Sequence, residues 1–446
     1  MPRCPAAENA PIALRTDPLR ATIISTGEEL VSGRTADTNA SFLAAELGRS
    51  GFDVRRLLAL GDDPGALKGE ILRCAQDSSV IAISGGLGPT ADDRTRQAIA
   101  EAVGADLVED ADSRQHVARR LHGFGREVNE HHLAQAFFPA GSTIFPNPRG
   151  TARGFACRLA DGWLVAMPGV PEEMKAMFAE SVLPFLLREV PPVGAMAVET
   201  VNLFPASESE VDERVRDLSA ADRNPVLGIT VRDGVISVSV RACGSDEARA
   251  QEVVDRDLRT LDERFGRLVF GRGRATLASA LSEQLERTGI TIGVAESVTG
   301  GLVGDMLVSV PGISRFLLAD VVAYDNDAKV HLLGAPTWEI EAHGAVSPQV
   351  AESMARGICS AAGSRLGVST TGIAGPTGGT PQKPVGLVYV GVCLDGEAAV
   401  ARLELRGDRQ RVRDRAAKHA LDMARLTLLD GLDSLRASPY NVQRRR

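Results

Sequence analysis

The sequence predicts an α/β protein of several domains, and three observations carry that prediction. Glycine accounts for 45 of the 446 residues, whereas aromatic residues make up only 4%. Short apolar runs alternate with segments of helical periodicity, and polar or glycine-rich turns separate them. This composition suits strand and helix layers joined by tight turns better than an aromatic-rich sandwich. The length implies roughly two to four domains.

Composition also narrows the partners and the compartment. A net charge of -8 gives no electrostatic reason to expect non-specific binding to nucleic acid or to an anionic membrane. No apolar run reaches the roughly 18 residues of a membrane span, and the cysteines include no C-x-x-C pair. We therefore expect a cytoplasmic protein without a membrane segment, a disulfide framework or a zinc cluster. Residues 1–20 and 437–446 are expected to be disordered tails.

The first domain is expected at residues 21–190. Apolar strands at residues 21–25, 54–60 and 80–84 each end in a polar loop, and Asp37 or Thr38 is expected to cap a helix near residue 40. The third loop, residues 85–89, is glycine-rich and opens onto a helix at residues 95–103. Its backbone N–H groups therefore form a cradle for a phosphate or an oxyanion.

Acidic side chains follow these strands, in a fold class whose ligands bind beyond the carboxyl ends of the strands. Such carboxylates can hold a hard divalent metal ion against a phosphate, or they can cap helices and form turns. They are Asp62, Asp63, Asp92 and Asp93. The loop at residues 167–174 places prolines on both sides of a glycine and is either a ligand loop or a stiff corner.

The glycine-rich turn carries a resemblance. Gly85-Gly86-Leu87-Gly88-Pro89-Thr90, followed by Asp92, Asp93 and Thr95, closely resembles the fingerprint of the molybdopterin-binding fold in the N-terminal half of the competence/damage-inducible protein A (CinA-like) family. The resemblance implies an ADP-ribose pyrophosphatase that depends on a divalent ion of Mg, Mn, Co or Ni. It makes Asp93 catalytic and Asp62, Asp92 and Asp93 the metal candidates. The substrate would contact Gly27, Glu28, Asn39, Gly85, Gly86, Leu87, Gly88, Thr90 and Gly169.

The middle domain is expected at residues 191–270. Its strands and helices follow the order β-α-β-β-α, with a hairpin at Arg232-Asp233-Gly234 and a cap at Ser207. This looks like the small KH-like domain of the same family. The span lacks the G-x-x-G loop that clamps a nucleotide backbone, so a spacer that orients two catalytic domains fits it better than direct binding to nucleic acid.

The last domain is expected at residues 275–436. An apolar strand at residues 292–295 runs into Glu296-Ser297-Val298-Thr299-Gly300-Gly301, which places a hydroxyl at a strand end beside two glycines. Ser297 is the candidate nucleophile. Tyr324, Asn326 and Lys329 follow a second apolar run, so another element can bring an ammonium group towards that hydroxyl.

These motifs look like the C-terminal CinA domain, which is similar to nicotinamide mononucleotide amidohydrolase. Val298 stands where many members have cysteine, and Asp327 where glutamate is usual. The resemblance implies release of ammonia from nicotinamide mononucleotide without a metal or other cofactor. Ser297 would be the nucleophile, Lys329 a neutral base in a closed pocket, and Tyr324 a proton relay. Substrate contacts would come from Glu296, Thr299, Gly300, Gly301, Asn326, Thr371, Gly372, Ile373, Ala374, Gly375, Lys383 and Arg409.

Each of these residues also has a purely structural interpretation. Lys329 can be solvated on the first turn of a helix, Tyr324 can be a core ring, and Arg409 can face solvent. The oxyanion donors lie either near residues 299–301 or near residues 372–375. The resemblance also implies a homodimer. Two further hypotheses are a non-catalytic adaptor in DNA competence or damage response, docked on a recombination protein, and a molybdopterin-binding protein.

Overall fold

The computed structural model describes residues 19–125, 127–191, 195–220, 223–436 and 440. The predicted tails at residues 1–20 and 437–446 lie almost wholly outside these ranges. At their inner edges the prediction was wrong, because Leu19 and Tyr440 are buried and Arg20 begins the first strand. The chain divides into two compact units.

The first unit reaches Ala197 and includes Ala242–Val253. Its strands are β1 (Arg20–Thr26), β2 (Asp53–Leu60), β3 (Val80–Ser84), β4 (Leu107–Glu109), β5 (Phe137–Pro139), β6 (Thr143–Phe145), β7 (Gly154–Leu159) and β8 (Gly162–Met167). Its helices are α1 (Glu28–Val31), α2 (Thr38–Arg49), α3 (Pro64–Cys74), α4 (Thr95–Val103), α5 (Ala111–Gly123), α6 (Glu130–Leu133), α7 (Pro171–Met177) and α8 (Leu183–Glu189).

A six-stranded sheet in the order β2-β1-β3-β8-β7-β6 forms the centre of this unit. The first four strands of that order run parallel, and β7 and β6 continue the sheet antiparallel. One core, with α2 and α7, covers one face, and another, with α3 and α4, covers the other. Because parallel strands end at the same edge, the loops after β1, β2, β3 and β8 gather there.

Hydrogen bonds at the starts of α2 and α3 show which acidic side chains of this unit cap helices. The Asp37 side chain accepts from the N–H of Ala40 and caps α2, so of the two predicted caps it is the one used. Asp63 accepts from the N–H of Gly65 and caps α3. Asp63 thus has the structural role that sequence analysis left open for the acidic loops.

The second unit comprises Val198–Arg241 and the chain from Val254 onwards. The KH-like part of the chain, most of which belongs to this unit, has strands β9 (Ala195–Leu203), β10 (Val226–Arg232), β11 (Val235–Gly244) and β12 (Val269–Arg272), with helices α9 (Glu208–Val215) and α10 (Glu247–Phe265). The sheet order is β10-β11-β9-β12. The predicted hairpin is confirmed, since β10 and β11 pair antiparallel with Arg232 opposite Val235.

The rest of this unit is a second α/β sheet structure, with helices on both faces of the sheet. Its strands are β13 (Ile292–Glu296), β14 (Leu317–Val322), β15 (Leu366–Gly372), β16 (Leu387–Leu394) and β17 (Glu397–Glu404). Its helices are α11 (Leu277–Thr288), α12 (Leu302–Val308), α13 (Asn326–Leu333), α14 (Thr337–His343), α15 (Pro348–Ala362) and α16 (Arg409–Asp430). Within the residues described, no helix has an apolar stretch long enough to cross a bilayer.

The five-stranded sheet has the order β14-β13-β15-β16-β17. β14, β13 and β15 are parallel, so their carboxyl ends, which carry the loops beginning at Ser297, Ala323 and Ile373, meet at one edge. Helices α11, α12 and α16 pack on one face, and α13 and α15 pack on the other. The candidate residues of the C-terminal domain therefore lie on neighbouring loops.

Candidate active sites

Ser297 follows directly on the buried strand β13. Its N–H donates to the carbonyl of Thr370 over 3.0 Å, which continues the ladder with β15 for one residue past the strand end. Gly300 and Gly301 then have φ values of 62° and 95°. These left-handed conformations disfavour residues with a Cβ, so the two glycines let the chain reverse tightly into α12.

The Glu296 carboxylate holds this loop in place through two hydrogen bonds. It is fully buried, and its two carboxylate oxygens accept from the N–H groups of Gly301 and Gly304, each over 2.8 Å. The carboxylate of Asp320 on β14 lies against the same turn, since a Cβ on Gly304 would come within 2.0 Å of its Oδ2. Asp320 is largely exposed as a residue, but burial of its carboxyl group and the neighbouring Glu296 carboxylate raise its pKa to about 7. A protonated Asp320 carboxyl can donate a hydrogen bond to Glu296, which favours its protonated form.

A cavity of about 280 Å³ opens at the carboxyl ends of β13 and β15. It brings together the predicted nucleophile, base and relay, because its walls include Ser297, Tyr324 and Lys329. The predicted contacts Asn326, Thr371, Gly372, Ile373, Ala374, Gly375 and Arg409 also line it. Sequence analysis assigned no role in the site to the remaining lining residues, which are Val298, Ala345, Val346, Thr377 and Gly378.

Lys329 is buried, with a residual exposure of 1%, so the alternative of a solvated side chain was wrong. Its Nζ lies 3.2 Å from the carbonyl oxygen of Tyr324 and 3.4 Å from that of Asp325, and it donates to both. Burial lowers the pKa of Lys329, and the negative charge of Asp325 only partly opposes this shift. A lysine in this position is suited to act as a neutral base.

Tyr324 is 63% exposed, so the alternative of a core ring was also wrong. Its hydroxyl oxygen accepts from Nη2 of Arg409 over 2.8 Å, while Nη1 of the same guanidinium donates to the carbonyl of Gly375 over 2.9 Å. Arg409 therefore connects the tyrosine to the wall formed by residues 372–375. The oxygen of Tyr324 is used as an acceptor, which leaves its own hydrogen free to donate.

Arg413 is a site residue that the sequence analysis missed. It lies one helical turn after Arg409 on α16 and donates from Nε and Nη2 to the carbonyl of Thr299, over 3.1 and 2.8 Å. The first two turns of α16 thus hold both loops of the cavity. A spacing of four residues from Arg409 was the available signal, because residues i and i+4 share a helix face.

Several predicted substrate contacts support the cavity from outside it. The Thr299 hydroxyl is buried against that of Thr370 at 2.6 Å, and Lys383 donates from Nζ to the carbonyl of His343 over 2.6 Å. Among the predicted oxyanion donors, residues 372–375 line the cavity. Ile373 already donates its N–H to the carbonyl of Leu387, so Ala374 and Gly375 are the better candidates. The predicted contacts away from the cavity lining are Glu296, Thr299, Gly300, Gly301 and Lys383.

In the first unit, the glycine-rich turn at residues 85–89 packs closely against the start of α4. Gly86 has a φ of 65°, and a Cβ there would lie 2.0 Å from Oγ1 of Thr95 at the start of α4. Arg96 is buried and donates to the carbonyls of Leu87 and Gly88 over 2.8 and 3.0 Å, and burial lowers its pKa to about 10. This arginine fixes the turn from behind, a role that its position in the sequence did not reveal.

Asn39 connects two of the gathered loops. Its Nδ2 donates to Oγ of Ser84 over 2.9 Å and to the carbonyl of Gly169 over 2.7 Å, while its buried Oδ1 has no hydrogen-bond partner among the described residues. A buried acceptor without a donor is costly. Asn39 is therefore well placed to accept a hydrogen bond from a ligand at this edge, where Gly85 and Gly169 also meet.

The acidic loops divide into two groups. Asp62, Asp63 and Asp92 line one narrow cleft, whose walls also include Thr26, Arg94 and Thr95. Burial, together with the charges of Asp92, Glu29 and Glu28, raises the pKa of Asp62. Asp93 instead turns towards its own loop, where its Oδ2 accepts from the N–H and hydroxyl of Thr90 over 2.8 and 2.5 Å.

Within the described ranges, no three His, Cys, Asp or Glu side chains are placed to hold a metal ion by themselves. Mg²⁺ is commonly held by one or two carboxylates together with water and substrate phosphates. The all-oxygen pair of Asp62 and Asp92 fits such an ion when a phosphate ligand is present. The ligand role of Asp93 remains a prediction.

Comparison with protein families divides the chain into three matches. A model of the CinA C-terminal domain matches residues 274–428, one described as a probable molybdopterin binding domain matches residues 22–188, and one of the damage-inducible protein CinA KH domain matches residues 199–271. The three matches agree with the three parts of the chain described above, which are the first unit, the KH-like part and the part with the five-stranded sheet.

Curated relatives match over nearly their whole lengths. A CinA-like protein of Dictyoglomus thermophilum is 36% identical over 412 residues, which cover 92% of this chain and 100% of the relative. A CinA-like protein of Geobacter metallireducens is 36% identical over 411 residues, with the same coverage. The solved structure of a competence/damage inducible protein from Agrobacterium tumefaciens is 34% identical and covers 34% of this chain and 94% of its own, with a TM-score of 0.34.

Proposed function

The chain belongs to the CinA family, and from that premise we propose that its C-terminal domain hydrolyses the amide of nicotinamide mononucleotide to nicotinate mononucleotide and ammonia. One observation carries the proposal: Lys329, buried and with a lowered pKa, lines the same cavity as Ser297. A serine hydroxyl needs a base to become a good nucleophile, and a desolvated lysine supplies one at moderate pH.

The reaction begins at Ser297. Its Oγ attacks the amide carbonyl carbon while the neutral Nζ of Lys329 accepts the hydroxyl proton, either directly or through a water molecule. The tetrahedral oxyanion is stabilised by N–H groups of the wall at residues 372–375. Collapse of this intermediate breaks the C–N bond, and the leaving nitrogen takes a proton to depart as ammonia. Water then attacks the acyl-serine with the same lysine as base, which releases the carboxylate and restores Ser297.

Tyr324 is the proposed donor to the leaving nitrogen. Arg409 occupies its oxygen as a hydrogen-bond donor, so the phenolic hydrogen points away from the guanidinium. The proton of Lys329 reaches the leaving group through this hydroxyl. Arg409 acts as a positioning residue for Tyr324 and also brings the one guanidinium of the cavity lining near a substrate phosphate.

For the N-terminal domain we propose hydrolysis of ADP-ribose with a divalent metal ion. Asp62 and Asp92 would hold the ion, and the glycine-rich turn with the N-terminus of α4 would hold a phosphate. The bound ion would supply Lewis-acid activation of the pyrophosphate and of water. This chain's residues bind and orient: Asn39 accepts a hydrogen bond from the ligand, and Arg96 keeps the turn rigid.

The match to a probable molybdopterin binding domain makes a pterin the competing ligand for this edge. Titration of the full-length protein with ADP-ribose and with a pterin distinguishes the two. We also propose a homodimer through the exposed edge strand β14, on which Leu318 and Val322 are each 46% exposed.

The central experiment incubates the full-length protein with nicotinamide mononucleotide and measures released ammonia. We expect turnover that persists in chelator and disappears in Ser297→Ala. ADP-ribose hydrolysis by the same preparation is expected to stop in chelator. If Ser297→Ala releases ammonia at the wild-type rate, the proposed amide hydrolysis at this cavity is wrong.

A further inference from the structure

We propose that the second unit contains another small-molecule site, which takes a ligand with a flat aromatic part and one phosphate group. The site is a cavity of about 500 Å³ between the KH-like sheet and helices α11, α12 and α16. None of its lining residues lines the Ser297 cavity. Its volume falls within the range of roughly 300 to 1,000 Å³ that is typical of small-molecule sites, and such sites favour domain junctions.

The floor of this cavity is apolar. Phe270 from the KH-like sheet, Leu277 and Ala278 from α11, Met306 from α12 and Leu421 from α16 form it. An aromatic side chain and a thioether are good partners for a flat ring, because a ring can stack on both. The floor therefore favours a planar aromatic group over a flexible polar chain.

The rim carries an excess of positive charge. Arg232, Arg274 and Lys418 face two carboxylates, those of Asp233 and Asp414, in a chain whose net charge is -8. Lys418 is paired with Asp414 and Arg232 lies near Asp233. Arg274 has no hydrogen-bonding or ion-pair partner within the described ranges. Its guanidinium is therefore available for a ligand anion.

The same end of the cavity offers backbone donors. α11 begins at Leu277, and its capping box joins Thr276 and Ser279. Leu277 and Ala278 both line the cavity, and their N–H groups find no acceptor in the part of the chain described here. A guanidinium beside two helix N-terminal N–H groups is well suited to a phosphate, whose oxygens accept from both.

The walls are held in place before any ligand binds. Asn202, with an exposure of 5%, donates from Nδ2 to the carbonyls of Gly273 and Ala275 and accepts at Oδ1 from the hydroxyl of Ser237. Lys418 donates to the carbonyl of Asp233 over 2.7 Å and so ties α16 to the KH-like hairpin. A cavity with fixed walls loses little entropy on binding.

A ligand bound in this second cavity would also affect the loops of the Ser297 cavity. Met306 lies on α12, whose N-terminus continues the nucleophile loop, and Ser309 follows directly on the last residue of that helix. Asp414 and Leu421 belong to α16, whose first turns carry Arg409 and Arg413. A ligand therefore contacts both helices that position the catalytic loops. This consequence for turnover rests on the proposed amide hydrolysis, whereas binding itself does not.

The test uses calorimetric titration of the full-length protein with adenosine 5′-monophosphate, a mononucleotide of the stated chemistry. Arg274→Glu reverses the unpaired rim charge, and Ala278→Phe fills the floor. Arg287→Glu, at the exposed far end of α11, is the matched control. Arg409→Met alters the Ser297 cavity and reports any binding there. Circular dichroism and thermal unfolding verify that each variant folds.

We expect about a tenfold or greater loss of affinity in Arg274→Glu, with Arg287→Glu and Arg409→Met unchanged. Adenosine without the phosphate should bind at least about tenfold more weakly than the monophosphate. The proposal is overturned if no binding occurs, if all four variants bind alike, or if only Arg409→Met weakens binding. Ammonia release measured with and without the monophosphate then tests the coupling separately. An unchanged rate with intact binding removes the coupling alone.

Discussion

The guanidinium of Arg409 donates to the hydroxyl oxygen of Tyr324 over 2.8 Å and thereby joins the first turn of α16 to the loop that follows β14. The two residues are 85 positions apart in the chain. The same guanidinium binds the carbonyl of Gly375, so one side chain orients a proposed proton donor and one wall of the cavity.

Replacing Arg409 should therefore lower the rate of amide hydrolysis more than it affects folding. We expect Arg409→Met to reduce kcat by about tenfold or more, because Tyr324 loses the contact that orients its hydroxyl. Arg411→Met, two residues later and exposed, is the matched control. Steady-state ammonia release measures both, and equal rates for the two variants would contradict the positioning role.

Lys329 should determine the alkaline pH dependence of the C-terminal reaction. Because burial lowers its pKa, we expect kcat/KM to rise with pH and then to level off. The midpoint of the rise gives an apparent pKa, which should lie below the ordinary lysine value of 10.5. Lys329→Arg and Lys329→Met should each lose at least about 100-fold in kcat, because neither can accept the proton from Ser297. A pH profile of Lys329→Arg that coincides with wild type would exclude lysine as the base.

The same lysine should lower stability at neutral pH. Its folded-state pKa is lowered, so between that value and 10.5 the unfolded chain binds more protons than the folded one, and stability rises with pH there. Below the lowered pKa the cost of burying the charge is present in full. We expect Lys329→Met to unfold at a higher temperature than wild type at about pH 7, with a smaller difference at about pH 10. Thermal unfolding at both pH values measures this. An equal or lower Tm for Lys329→Met at neutral pH would show that the buried ammonium costs nothing.

The carboxyl pair below the Ser297 loop should weaken as the pH rises. The pKa of Asp320 is raised from 3.8 to about 7, so its contribution to stability is fully present below 3.8 and is lost as the pH rises from there through about 7. We expect Asp320→Asn to be more stable than wild type at about pH 9, by a margin that shrinks as the pH falls towards about 4. Asp327→Asn, exposed on α13, should show no such pH-dependent difference. Thermal unfolding of the three proteins across this range gives the result. A pH-independent difference for Asp320→Asn would refute the raised pKa of Asp320.

At the N-terminal site, Asp62→Asn and Asp92→Asn should each lower ADP-ribose hydrolysis by about tenfold or more and raise the Mg²⁺ concentration needed for half of the maximal rate. Asp63→Asn is the control: Asp63 lines the same cleft, but its side chain accepts from the N–H of Gly65 in α3, and asparagine can cap the helix in the same way. Pyrophosphate cleavage as a function of Mg²⁺ concentration separates the variants. An identical metal dependence in all three would rule out Asp62 and Asp92 as ligands.

The sequence determined the class of fold, the three-domain organisation and the order of most strands and helices, because apolar periodicity, caps and glycine turns are local. Ser207 caps α9 and β10 pairs with β11 as predicted. Helix α15 was not predicted, although Ser347 caps it and Pro348 occupies its first turn. The short strands β4 to β7 were missed as well, because runs of three to six residues carry little periodicity.

Only the tertiary structure decided which candidate residues share a site. Lys329 and Glu296 are both charged residues near Ser297 in the sequence or in the predicted fold, yet one lines the cavity and the other lies beneath the loop, bonded to Gly301 and Gly304. The same holds for Asp92, which shares a cleft with Asp62, and Asp93, which binds Thr90. The direction of a side chain depends on the packing of neighbouring strands and on the final turn of each loop, and no local pattern in the sequence encodes it.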